Sequence, residues 1–131
     1  MKLNPPTVLL HHTFLAAVSE PDHPQHDAAI STYLMLVDEF ETNSRLLAAT
    51  SDDIEGIPAE LRRSLFAPVS TLHVAAQHRS AARAMPEHIA DANFATTLVM
   101  AHRERVAAIA TFDPRFHRFD IDVLPAVQLS I

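Results

Sequence analysis

Residues 89–116 constrain the fold more than any other part of the chain. Asp91 heads a stretch whose residues predict a helix to about Glu104, and a short apolar segment, Val106–Ala110, follows it. A run so short and so uniformly apolar reads as a strand buried on both faces, as in the parallel sheets of α/β proteins. It ends on Thr111-Phe112-Asp113. In an open α/β sheet the carboxyl ends of the strands form the ligand crevice. Asp113 leaves the strand at that end, and Asp91 starts the helix that leads into it. Two carboxylates distant in sequence are thereby expected in one crevice, as candidates for a divalent-cation site.

The remaining segments fit the same plan. Pro5-Pro6 blocks helix ahead of Val8–Leu10, a buried first strand, and Phe14–Val18 reads as a short helix. The Pro-rich stretch from Ser19 to Pro24 is a turn. From Gln25 to about Asn43, Ala28, Ala29, Tyr33, Leu36, Val37 and Phe40 keep helical spacing. Leu46–Ala49 is the second strand, and Ser51-Asp52-Asp53-Ile54 resembles a helix start with a hydroxyl cap and acids in its first turn. Gly56, the only glycine, and Pro58 interrupt that helix, which resumes over Ala59–Phe66. Val69–Val74 is a third strand, Ala75–Ala84 and Glu87–Glu104 are helices, and Val123–Val127 is an edge strand. Helices alternating with short strands predict a three-layer α/β/α sandwich around a mainly parallel sheet of four to five strands. With no internal repeat or linker, residues 1–131 are read as a single domain.

Composition narrows the function. The net charge of −6 argues against bulk nucleic-acid binding. Its distribution is uneven: eight arginines fall within 61–118, while ten of the sixteen acids fall within 20–60. Local phosphate binding by guanidinium therefore stays open. Without cysteine there is no disulfide framework and no thiolate metal site, which fits a reducing compartment. No apolar run reaches membrane-span length and no signal peptide is read, so a cytoplasmic chain with no membrane association is expected. There is no Gly-x-Ser-x-Gly elbow, and a single glycine excludes a phosphate-cradling loop. The nine histidines include His23-x-x-His26 and His73-x4-His78, but neither pair has the context of a zinc site. His11 and His12, if both lie in a strand, point to opposite faces.

Ile89-Ala-Asp91-Ala-Asn-Phe-Ala-Thr-Thr-Leu98, followed by Val106-Ala-Ala-Ile-Ala-Thr111-Phe-Asp113-Pro-Arg-Phe116, resembles the C-terminal signature of the PIN-domain family. Its toxin branch, the VapC-type ribonucleases, is the nearest in pattern. The order of the N-terminal elements, the Thr50-Ser51 step and Ala59-Glu60-Leu61 also resemble that branch.

The resemblance implies a metal-dependent ribonuclease that hydrolyses RNA phosphodiester bonds with one or two Mg2+ or Mn2+ ions. Asp91, Asp113 and Glu60 would be catalytic and hold the cation, with Glu55 and His11 as further ligands. A homodimer and a small antitoxin protein as partner are also implied. One departure matters: the aspartate such proteins place after the first strand is His11 here. The second acid stays open between Glu60, Glu55 and Asp53. Losing a hard, charged oxygen ligand weakens Mg2+ binding, while Mn2+ tolerates imidazole better. The alternative is thus a degenerate PIN-like domain that has lost catalysis and acts as an RNA- or protein-binding module. A third reading is an unrelated small α/β binding domain. Thr13 and Thr111 are hydroxyls near the crevice, and Arg115 and Arg118 are candidates for RNA phosphates. Taken alone, Asp91 is an ordinary helix-capping acid and Asp113-Pro114 an ordinary turn.

Overall fold

A computed structural model describes residues 5–125. Five parallel strands form one sheet in the order β3-β2-β1-β4-β5. They are β1 (Thr7–Leu10), β2 (Leu46–Thr50), β3 (Val69–Leu72), β4 (Ala108–Ala110) and β5 (Asp122–Leu124). The helices are α1 (His12–Ser19), α2 (His26–Glu41), α3 (Ser51–Ile54), α4 (Ala59–Arg63), α5 (Ala76–Arg83) and α6 (Ala92–Arg103). Two 3-10 turns, Pro86–Ile89 and Pro114–Arg118, complete the description.

The period-two alternation of side chains divides the central strand between two cores. Val8 and Leu10 pack with Phe14, Leu15, Tyr33, Leu36, Ala108 and Ala110 on the α1–α2 side. Leu9 and Ile109 face the other way, with Phe94, Ala101 and Phe116 on the α6 side. Val8, Leu9, Leu10 and Ile109 are fully excluded from solvent, as the predicted two-faced burial requires. Each such side chain contributes roughly 1.5–3 kcal/mol relative to exposure. A polar substitution at Leu9 or Ile109 would break the sheet at its centre.

Several local expectations shift. The helix expected over Glu87–Glu104 divides: a 3-10 turn ends at Ile89, and α6 begins anew with Asp91 as its N-cap. Asp91 is extended at φ −158°, and its side chain accepts the Phe94 amide, so the capping bond itself defines the new start. Thr50, not Ser51, caps α3 by accepting the Asp53 amide, while Ser51 accepts the Val74 amide. That second bond holds the end of β3 beside α3 and leaves Val69–Leu72 shorter than expected. In α2 the inward face is Ala29, Thr32, Tyr33 and Leu36, with Ala28 exposed. The expected edge strand is present as Asp122–Leu124; Ala126 and Val127 lie outside the described residues. His11 and His12 do not point apart, because the strand ends at Leu10 and α1 starts at His12; their ring centroids are 4.2 Å apart.

Candidate functional site

The strand order reverses its sense at β1, whose neighbours are β2 on one side and β4 on the other. A crevice is expected at the carboxyl ends of strands at such a switch point. Four connections meet there: His11 after β1, Asp53 in the helix after β2, the head of α6, and Thr111–Asp113 after β4. The side chains form two adjoining groups.

The first group is buried and built on His11, only 1% exposed. Its Nδ1 lies 2.9 Å from Thr111 Oγ1 and 3.1 Å from Thr13 Oγ1, and its Nε2 lies 3.1 Å from Asn93 Oδ1. Asn93 Nδ2 donates to Asp53 Oδ1 at 2.7 Å, and Asp53 Oδ2 accepts the His12 amide at 3.0 Å. These bonds fix one protonation pattern. A carboxylate only accepts, so Asp53 turns the Asn93 amide nitrogen toward itself and the Asn93 oxygen toward His11. That oxygen requires a proton on Nε2. In neutral imidazole Nδ1 is then the acceptor and takes a threonine hydroxyl. The hydroxyls lie 3.0 Å apart; Thr13 Oγ1 accepts the Phe112 amide and Thr111 Oγ1 the Asp113 amide. Burial, reinforced by neighbouring His12, lowers the His11 pKa from 6.5 to about 4. Burial also raises the Asp53 pKa, against the opposing bonds from Asn93 and His12.

The second group is half-exposed and centred on Arg115. Its Nη2 donates to Asp91 Oδ2 and to Asp113 Oδ2, each at 2.6 Å. Its Nε donates to Asp113 Oδ1 at 3.0 Å, and its backbone amide donates to the same oxygen. The guanidinium carbon sits 4.3 Å from the centre of the Phe94 ring, a cation–π contact. The bonds from Arg115 hold the Asp91 and Asp113 carboxyls below the ordinary carboxylate pKa, and the two acids in turn raise the Arg115 pKa. Asp91 divides its oxygens, Oδ1 capping α6 and Oδ2 receiving the guanidinium.

Asp91, Asp113 and His11 are thus brought to one edge, together with Asp53. Glu55 and Glu60 are exposed, on the C-cap of α3 and in α4, and neither joins these bonds. The Gly56 amide closes a turn onto the Asp53 carbonyl, which ends the short helix and carries the chain outward before Glu60. Asn93 was not anticipated. Its only sequence signal is a polar amide at the second position of the helix, two residues after Asp91.

A divalent cation, which a nuclease reading calls for, fits these residues poorly. The His11 Nε2 proton faces Asn93, and its Nδ1 lone pair faces hydroxyls. Both Asp53 oxygens accept N–H groups, and Asp91 and Asp113 share a guanidinium. Among the described residues, no three His, Asp or Glu side chains are grouped so as to hold a metal ion.

No protein-family model and no curated protein matches the sequence. The fold, however, is PIN-like: a five-stranded parallel sheet flanked by helices, of the kind found in VapC toxins. A similar solved structure is that of Mycobacterium tuberculosis VapC20, a sarcin-ricin loop cleaving toxin. The two share 14% sequence identity with a TM-score of 0.62, over 87% of this chain and 95% of that one.

Proposed function

We propose that this chain is an RNA-directed PIN-type domain of VapC architecture in which metal-dependent hydrolysis has been lost. One observation carries this reading. At the position where the resemblance calls for an aspartate stands a neutral imidazole, buried and committed at both nitrogens. It adds no negative charge to the crevice and offers no free lone pair to a cation. Support for RNA as the ligand comes from the VapC20 likeness and from exposed His12, His117 and Arg118 on the connections after β1 and β4. Contacts of that kind position a phosphate backbone without reading sequence. A homodimer and a small antitoxin partner belong to the same reading.

The test is a sarcin-ricin-loop oligonucleotide incubated with the purified chain in Mg2+, in Mn2+ and in EDTA. Salt-sensitive binding without cleavage in any of the three is expected. Cleavage would overturn the loss of catalysis, and absence of binding at low salt would overturn the assignment to RNA.

A second reading, an active metal-dependent ribonuclease, is favoured by one feature. Asp91 and Asp113 face each other across a single guanidinium nitrogen, the spacing a shared cation also needs. It requires Arg115 to leave, and cleavage in Mn2+ but not in EDTA is the result that would select it.

A further inference from the structure

We infer that Arg115 is the resident cation of this domain: its guanidinium takes the place between Asp91 and Asp113 that a metal would fill, so the pair is neutralised by the chain itself. The inference rests on the PIN-like reading of the crevice, but not on whether the domain cuts RNA.

Three observations carry it. Arg115 Nη2 reaches both carboxylates at 2.6 Å, so one nitrogen joins the connection after β4 to the head of α6. Nε and the backbone amide of the same residue also bond Asp113, so two guanidinium nitrogens and the main chain of Arg115 are all tied to that acid. The Phe94 ring backs the cation, and Phe94 is itself the residue whose amide Asp91 caps. The cation, both anions and the aromatic support therefore position one another.

The energetic consequence follows from connectivity. Arg115 lies two residues after Asp113, so its binding to the pair is intramolecular and has an effective concentration that free metal must match. A divalent ion would also have to release a permanently charged group that cannot deprotonate to make way. With His11 neutral, only two carboxylates at this end of the crevice remain to attract it. Neither offers an oxygen free of a donor, because Asp91 Oδ1 caps α6 and the other three oxygens accept from Arg115.

The test uses the full chain with Mn2+ as probe, following the free-ion electron paramagnetic resonance signal and the thermal midpoint in EDTA and in excess Mn2+. Wild type is expected to leave the signal undiminished and to melt at one temperature in both. Arg115→Gln is expected to melt lower in EDTA, to rise by a few degrees in Mn2+, and to diminish the free-ion signal where wild type does not. Adding Asp91→Asn to that variant should abolish the response. Should Arg115→Gln not fold, Arg115→Lys keeps the charge without the fork and should show a smaller Mn2+ response of the same sign. Wild type taking up Mn2+ as tightly as the variant would overturn the inference, as would an Arg115→Gln protein indifferent to the ion. The two readings separate in the same samples. RNA cleavage in EDTA would sink the non-hydrolytic reading alone, and Mn2+ uptake by a wild type that cuts nothing would sink this inference alone.

Discussion

The two halves of the crevice are both polar, but different physics holds them. His11 and Asp53, both buried, are joined by partly buried Asn93 into a chain in which each group dictates the orientation of the next. Asp91, Arg115 and Asp113 form an ion cluster that opens to solvent through Arg115 and Asp91, at 38% and 32% side-chain exposure, while Asp113 is largely covered at 11%. Buried hydrogen-bonding groups cost most when a partner is removed, because the orphan keeps its desolvation penalty. Exposed ion pairs contribute little to stability but decide which ions can enter. The buried half therefore governs folding and the exposed half governs occupancy.

The substitution with the largest expected effect is His11→Asp. It places a carboxylate beside the Asn93 oxygen and near Asp113, with no cation beyond Arg115, which already serves Asp91 and Asp113, to offset it. Without metal the variant should lose roughly 3–5 kcal/mol, the scale of an uncompensated buried charge. Urea unfolding in EDTA measures this, and excess Mn2+ should recover part of it. An unchanged stability would mean that the buried half tolerates charge and that the contrast is false.

Acid should reach the buried half next. His11 titrates at about 4 in the fold and at 6.5 when unfolded. Between those values the unfolded chain binds the proton that the folded chain refuses, so stability is full above pH 6.5 and falls as pH drops toward 4. At 1.36 kcal/mol per tenfold in proton affinity the loss is on the order of 3 kcal/mol. Asp53 acts in the opposite sense, since its raised pKa favours protonation in the fold. Comparing the pH dependence of wild type with that of His11→Gln isolates the histidine. Parallel curves would remove it as the cause.

The sheet was legible in the chain because apolar runs such as Val8–Leu10 leave no exposed face for a strand to offer water. Asp91 and Asp113 were legible as a pair because helix head and strand end are positions that patterning locates. Asp53 could not be separated from Glu55 and Glu60 on that basis. The choice depends on a helix of four residues ending at Ile54, and a turn at Gly56 decides which acid faces inward. Arg115 was read as a phosphate contact, since only its side-chain conformation reveals that it folds back onto two acids. Asn93 carries no charge and belongs to no pattern; its role exists only in the bonds on either side of it.

Asn93→Ala sharpens the comparison from the middle of the buried chain. It strips a partner from the His11 Nε2 proton and from Asp53 Oδ1, and should cost roughly 1–3 kcal/mol by denaturant unfolding. In wild type the amide oxygen also accepts from Nε2 and so favours the protonated imidazole, and its removal should lower the His11 pKa further in a nitrogen-resolved NMR titration. Arg115→Gln is expected to be the mildest for folding, below about 1 kcal/mol in EDTA, as for other half-exposed ion pairs. A loss as large as that of Asn93→Ala would erase the difference between the two halves.

Both halves can be altered at once in the His11→Asp/Arg115→Gln double variant, which supplies the missing acid and removes the internal cation. Calorimetric titration of Mn2+ into this variant and into wild type is the most direct test that the crevice is closed to metal by its own residues. Measurable binding by the double variant and none by wild type is the expected result. Wild type binding Mn2+ with the same affinity would contradict it.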